Sequence, residues 1–110
     1  MATTYKVLGQ AAPADTNNAD LYTVPASTST VVSTLLVTNT TGTDATCRIF
    51  VRVAGAAAGT ANAVIYDATV GANDFVAMTM GVTLAATDVI SVQSGTADAL
   101  TFQAFGSEIA

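Results

Sequence analysis

The chain is predicted to be all-β, an antiparallel β-sandwich or jelly-roll-like fold of about eight strands, and three features of the sequence predict it. Apolar residues recur with a period of two rather than 3.6, so each segment has one apolar face. Valine and threonine, which suit a pleated, half-buried surface, crowd those segments. Clusters of Gly, Asn, Asp, Ser, Thr and Ala separate them at spacings of roughly 8–15 residues, as in a sandwich.

The first segment, Tyr5–Gln10, carries Tyr5, Val7 and Leu8. It is expected to be an N-terminal arm or edge strand within residues 1–10, tied to a sheet edge or a neighbouring subunit, because an untied end frays. Leu21–Val24 follows, stopped by Pro25 just past the strand, where proline is tolerated. Val31–Asn39 is apolar on both faces, with Val31, Leu35 and Val37 on one and Val32 and Leu36 on the other. That pattern suits a central strand, or one whose outer face another chain covers. Thr46–Val53 alternates most clearly: Cys47, Ile49, Val51 and Val53 face inward, and Thr46, Arg48, Phe50 and Arg52 outward. Ala63–Ala68, Phe75–Met80, Asp88–Gln93 and Leu100–Phe105 complete the set, and GVTLAAT is read as a connection. AGAAAGTANA is the one alanine-rich stretch, but its two glycines and short length argue against a helix. The expected core is Leu35, Val37, Ile49, Val51, Val53, Ile65, Ile90, Val92, Leu100 and Phe102, in a single domain spanning 1–110 with no linker or repeat.

Composition narrows the function. Apolar residues make up 51% of the chain but aromatics only 6%, so alanine and valine carry the core and it should be thin. A partner subunit would add stability by mass action. Lys6, Arg48 and Arg52 are the only cations against eight acids, a net charge of −5, which disfavours nucleic acid and anionic lipid as partners. No stretch is apolar enough to span a membrane, and no secretory leader is expected. A single cysteine, Cys47, fits synthesis in a reducing compartment.

The chemistry-bearing residues are few. Without histidine, a His-based triad or a His/Cys zinc site cannot be built. The run DTNNAD at 15–20 lacks the glycine and the twelfth-position acid of a calcium loop and is read as Asx turns. Asp67 and Asp74 are read as solvated carboxylates flanking a turn, and Asn39-Thr40-Thr41 as a turn rather than a glycan acceptor. Cys47 is a small buried hydrophobe. No catalytic, metal or cofactor-binding residue is expected, and the chain is read as not an enzyme. The candidate sites are subunit contacts: Tyr5, Val7 and Leu8 on the arm, Val32 and Leu36 on the two-sided strand, and Arg48, Phe50 and Arg52 on one outward face. The competing reading of that last group has both arginines paired with acids of the same chain and Phe50 under a loop.

YKVLGQAAPADTNNADLYTVPASTSTVVSTLLVTN, CRIFVRVAG, IYDATVGANDF, GVTLAATDVISVQSGTA and the terminal FGSEI resemble a family of small virion structural proteins, decoration or accessory, of tailed bacteriophages of the marine and cyanobacterial type. The resemblance covers Tyr5 to Ile109 and contains no catalytic motif. It implies a structural part of the particle, synthesised in the host cytoplasm and carried on the virion exterior. The first expectation is a head decoration (cement) protein, a homo-oligomer (trimer favoured by analogy) seated on the major capsid protein or other virion proteins. The alternatives are a tail, baseplate or fibre-associated component, and a virion-borne receptor- or carbohydrate-binding module.

Overall fold

The period-two segments pair into two antiparallel sheets whose apolar faces meet. The computed structural model describes residues 2–110 and contains nine strands: β1 (Thr3–Ala11), β2 (Ala19–Thr23), β3 (Ser29–Asn39), β4 (Ala45–Arg52), β5 (Ala63–Val70), β6 (Phe75–Met78), β7 (Val82–Leu84), β8 (Val89–Ser94) and β9 (Leu100–Ile109). The first sheet runs β1-β9-β3-β6, with β7 pairing the same edge of β3 as β6 but nearer its start. The second runs β2-β8-β4-β5. The only helical pieces among the described residues are two single 3-10 turns, Val53–Gly55 and Thr60–Asn62, both in the β4–β5 connection.

All eight expected strands form. The ninth, β7, falls inside the stretch read as a connection, because three residues with one buried side chain carry too little alternation to register as a strand. The arm is β1, an edge strand paired with β9 from Thr3↔Ile109 to Ala11↔Phe102. Beyond it, Ala2 and Ala110 exchange both backbone hydrogen bonds, at 3.1 and 2.9 Å, so the two ends of the chain hold each other.

The core lies between the sheets. Leu35, Val37, Ile49, Ile90, Val92, Leu100 and Phe102 are buried as expected, with Val24, Val32, Val70 and Ala104 beside them, and Val51 and Ile65 pack at its margin. Val53 is a correction: it is 69% exposed. Strand β4 ends at Arg52, and Ala54 takes a positive φ of 53°, so the alternation stops one residue early and the chain turns away.

A second correction concerns β3. Both neighbours of β9 carry bulges, between Val7 and Gly9 in β1 and between Val32 and Thr34 in β3. A bulge inserts one unpaired residue and reverses which side chains face the core. Val32 therefore joins Leu35 and Val37 in the core, while Val31 stands outside. Gly106 permits this: a Cβ there would run into the Val31 carbonyl oxygen, and one at Gly9 into that of Leu21.

Phe102 is the largest fully buried side chain, so Phe102→Ala should lower the unfolding free energy by about 3–5 kcal/mol. Val53→Ala should change it by no more than about 0.5 kcal/mol, since the side chain is in solvent. Urea unfolding of the two variants beside the parent checks both values.

Candidate functional site

The outer face of the second sheet holds Arg48, Phe50 and Arg52, and the chain itself uses all three. Arg52 Nη1 donates to Asp20 at 2.7 Å, and its other nitrogens donate to the carbonyls of Ala56 (2.6 Å) and Gly55 (3.2 Å). The Asp88 carboxylate accepts the Ala54 N–H at 2.9 Å and that of Ala85 at 2.9 Å. These bonds fold the β4–β5 connection back as a flap, its first 3-10 turn against β8 and its second against β4. Under it, Phe50, Val89 and Ser91 are buried although their alternation points them away from the core. Phe50 is thus corrected: at 3% exposure it is no free contact residue. The alanines and glycines of the flap let its backbone lie close to the sheet.

Arg48 is also taken. Asp67 is the extra residue of a β5 bulge, with φ 56°, and its carboxylate accepts from Arg48 Nε at 2.7 Å and Nη2 at 3.2 Å. The guanidinium stacks 4.0 Å from the centre of the Tyr66 ring. The Asp67 hydrogen bonds raise the Arg48 pKa, and the same bonds hold the Asp67 carboxyl below its ordinary value. Beside the pair lies an open notch of about 300 Å³ lined by Thr16, Thr46, Cys47, Arg48, Asp67, Gln93, Ser94 and Gly95. Burial, and then the Asp67 charge, push the Cys47 thiol up to about 11. The notch offers hydrogen-bond donors and acceptors, and its Cys47, Arg48 and Asp67 are all shifted away from exchanging a proton near neutrality.

The outer face of the first sheet is bare. Its side chains come in cross-strand rows: Thr3, Ile109 and Ser29; Tyr5, Ser107 and Val31; Val7, Phe105 and Thr34; Gln10, Gln103 and Leu36; Thr101 and Thr38. Tyr5 is 84% exposed and Val7 48%, Val31 is exposed, and Phe105 and Leu36 are half-buried. Between Tyr5, Lys6, Val31, Ser33, Phe105, Gly106 and Ser107 runs a groove of about 340 Å³. No charged side chain among the described residues occupies these rows: Lys6 and Glu108 have the opposite alternation, with Glu108 reaching Tyr22 of the other sheet. Of the sequence candidates, Tyr5, Val7 and Leu36 meet here. Leu8, Val32 and Phe50 are buried, and Arg48 and Arg52 lie on the opposite sheet. The residues that sequence reasoning missed are Val31 and Phe105; the signal was a glycine inside β1 and inside β9, Gly9 and Gly106, since an isolated strand glycine marks a bulge or a close backbone approach.

One polar cluster crosses between the sheets. The Tyr22 hydroxyl donates to Glu108 Oε2 at 2.5 Å and lies 2.8 Å from the Thr30 hydroxyl, while Lys6 Nζ donates to Glu108 Oε1 at 3.0 Å. Burial, reinforced by the bond to Glu108, pushes the Tyr22 phenol up to about 12. Tyr22 and Lys6 hold the Glu108 carboxyl below its ordinary value. Asn39, buried in its turn, donates to the carbonyls of Thr43 and Val70 and accepts from Thr41, which leaves no amide free for a glycan. Asp15 accepts the Asn17 N–H in an Asx turn.

No protein-family model matches the chain, and neither the curated proteins nor the solved structures contain a match.

Glu108 and Asp67 have folded pKa values below those of the unfolded chain, so below the unfolded values the unfolded state binds more protons. Their stabilisation is present above about pH 4.5 and is lost as pH falls through the depressed folded values. Glu108→Gln should therefore flatten the loss of stability between about pH 5 and pH 3, measured by urea melts across that range. With its thiol near 11 instead of 9.0, Cys47 should react with an alkylating reagent at pH 8 at least roughly a hundredfold more slowly in the native protein than in urea.

Proposed function

We propose that the protein is a non-enzymatic structural component of a tailed-phage particle, a head decoration protein seated on the outer capsid surface in many copies. The observation that carries this reading is the bare face of the first sheet. An uncharged surface centred on Tyr5, Val7, Val31 and Phe105 gains free energy when another protein surface covers it. The sequence resemblance to small virion proteins supplies the particle. Two further features support the role. Strands β1 and β9 are paired along their length, and Ala2 and Ala110 continue the pairing, which leaves neither strand loose at the edge of the sheet. A net charge of −5 favours a position away from the packaged genome.

The test is the copy number in purified virions, measured by quantitative mass spectrometry against the major capsid protein. The expected outcome is on the order of hundreds of copies per particle, as a symmetric shell imposes. A few to a few dozen copies would move the protein to the tail, baseplate or fibres. Its absence from purified particles would overturn the reading.

A further inference from the structure

The two sheets are finished differently. The outer face of the second is roofed by its own flap, which hides Phe50, Val89 and Ser91. The first has no such cover, and β1, β9 and β3 leave their aromatic and aliphatic side chains in water. We infer that a second copy of this chain covers that face, the two first sheets packing face to face about a twofold axis with each Tyr5 entering the other copy's groove. This rests on reading the face as an assembly surface, and not on the identity of the particle.

Charge selects the occupant. No charged side chain among the described residues stands in the outward rows, and Lys6, which borders the groove, is already paired with Glu108, so neither a basic nor an acidic partner finds a free ion pair there, whereas a neutral face meets another without stranding a charge. The chain carries one such face itself, and a twofold contact uses the same patch twice. Shape agrees. The groove of about 340 Å³ lies immediately beside Tyr5, whose ring stands free. Its volume is roughly ten times the ~30 Å³ share of a liquid water, ample for a phenol ring. Reciprocal insertion brings two aromatic rings alongside, a favourable arrangement when they are offset.

Area agrees as well. Nine residues of β9 at ~3.3 Å each and four strand widths (β1, β9, β3 and the edge shared by β6 and β7) at ~4.8 Å spacing give a footprint of roughly 30 by 19 Å. Side-chain relief enlarges that flat area toward the ~800 Å² per partner of a standard specific interface. The acids lie off this face, so two copies of charge −5 repel only at long range, and salt screens that repulsion.

The experiment is sedimentation velocity and light scattering of the full chain from about 1 to 100 µM, in low salt and with added sodium chloride. The expected parent species has twice the 11.0 kDa chain mass, and its dissociation constant falls as salt rises. Tyr5→Lys and Val31→Lys should each raise that constant at least about a hundredfold, with circular dichroism and melting at dilute concentration unchanged. Tyr5→Phe should keep the pair, and Val53→Ser, on the flap, should leave it intact. A parent that stays monomeric at 100 µM overturns the inference, and if purified capsid protein then binds it through Tyr5 the shell is the occupant. A trimer, or a pair insensitive to Tyr5→Lys and Val31→Lys, also overturns it. None of these results changes the copy number in virions, so the two readings fail separately.

Discussion

The structure depends on the clasp that seats β9 between β1 and β3. The last strand of the chain pairs with the first along its whole length on one side and with β3 on the other. Each of these pairings closes a loop that includes most of the sequence, so loop-closure entropy is lost before any contact repays it. β3 can pair with β6 and β7 without β9, but β1 joins the sheet only through β9. The outer face built from β1, β9 and β3 therefore exists only in the finished fold. A face built from strands so remote in sequence cannot be displayed by a half-folded chain.

Strand alternation decides what faces outward, and bulges decide where alternation changes phase. In β3 the bulge after Val32 brings Val32 into register with the core and leaves Val31 in solvent, and in β1 Leu8 faces inward by plain alternation while the bulge there shifts the phase beyond it and turns Gln10 outward with Tyr5 and Val7. The resulting outer rows place Tyr5, Val7, Val31 and Phe105 together from strands that are remote in sequence. In β5 a third bulge has a different use: it sets Asp67 in a left-handed conformation where its carboxylate meets Arg48.

These phase changes explain what could be read from the sequence. All the long strands were legible, because runs such as Cys47-Arg48-Ile49-Phe50 alternate strictly and loops rich in Gly, Asn and Asp punctuate them. The core was legible wherever no bulge intervened, as for Ile49, Val92 and Phe102. Phe50 was assigned to the correct face, yet a loop of alanines and glycines, read only as a connection, lies over that face and buries it. Local periodicity reports the direction of a side chain. It carries no information about a distant segment folded on top. The candidate site was therefore half-legible: Tyr5, Val7 and Leu36 stand on the bare sheet, and the Arg48–Phe50–Arg52 group belongs to the covered one.

The scarce cations show how this chain separates holding itself together from meeting others. Lys6 pairs with Glu108 and Arg48 with Asp67 across strands that are already laddered, and Arg52 pairs with Asp20 from β4 to β2 across β8. At exposed sites such pairs contribute little stability, so their value lies in geometry. Lys6 and Glu108 anchor Tyr22 of one sheet to β1 and β9 of the other, and Arg52 anchors the flap that roofs the second sheet. With every cation committed inside the chain, the five uncompensated acids give each copy a repulsive surround. The uncharged face is a broad surface where that repulsion is weak and where apolar area remains exposed. Repulsion elsewhere then acts as a selector: it discourages edge-to-edge and flap-to-flap encounters, and it leaves contact through β1, β9 and β3 as the arrangement in which hydrophobic gain opposes the least electrostatic cost.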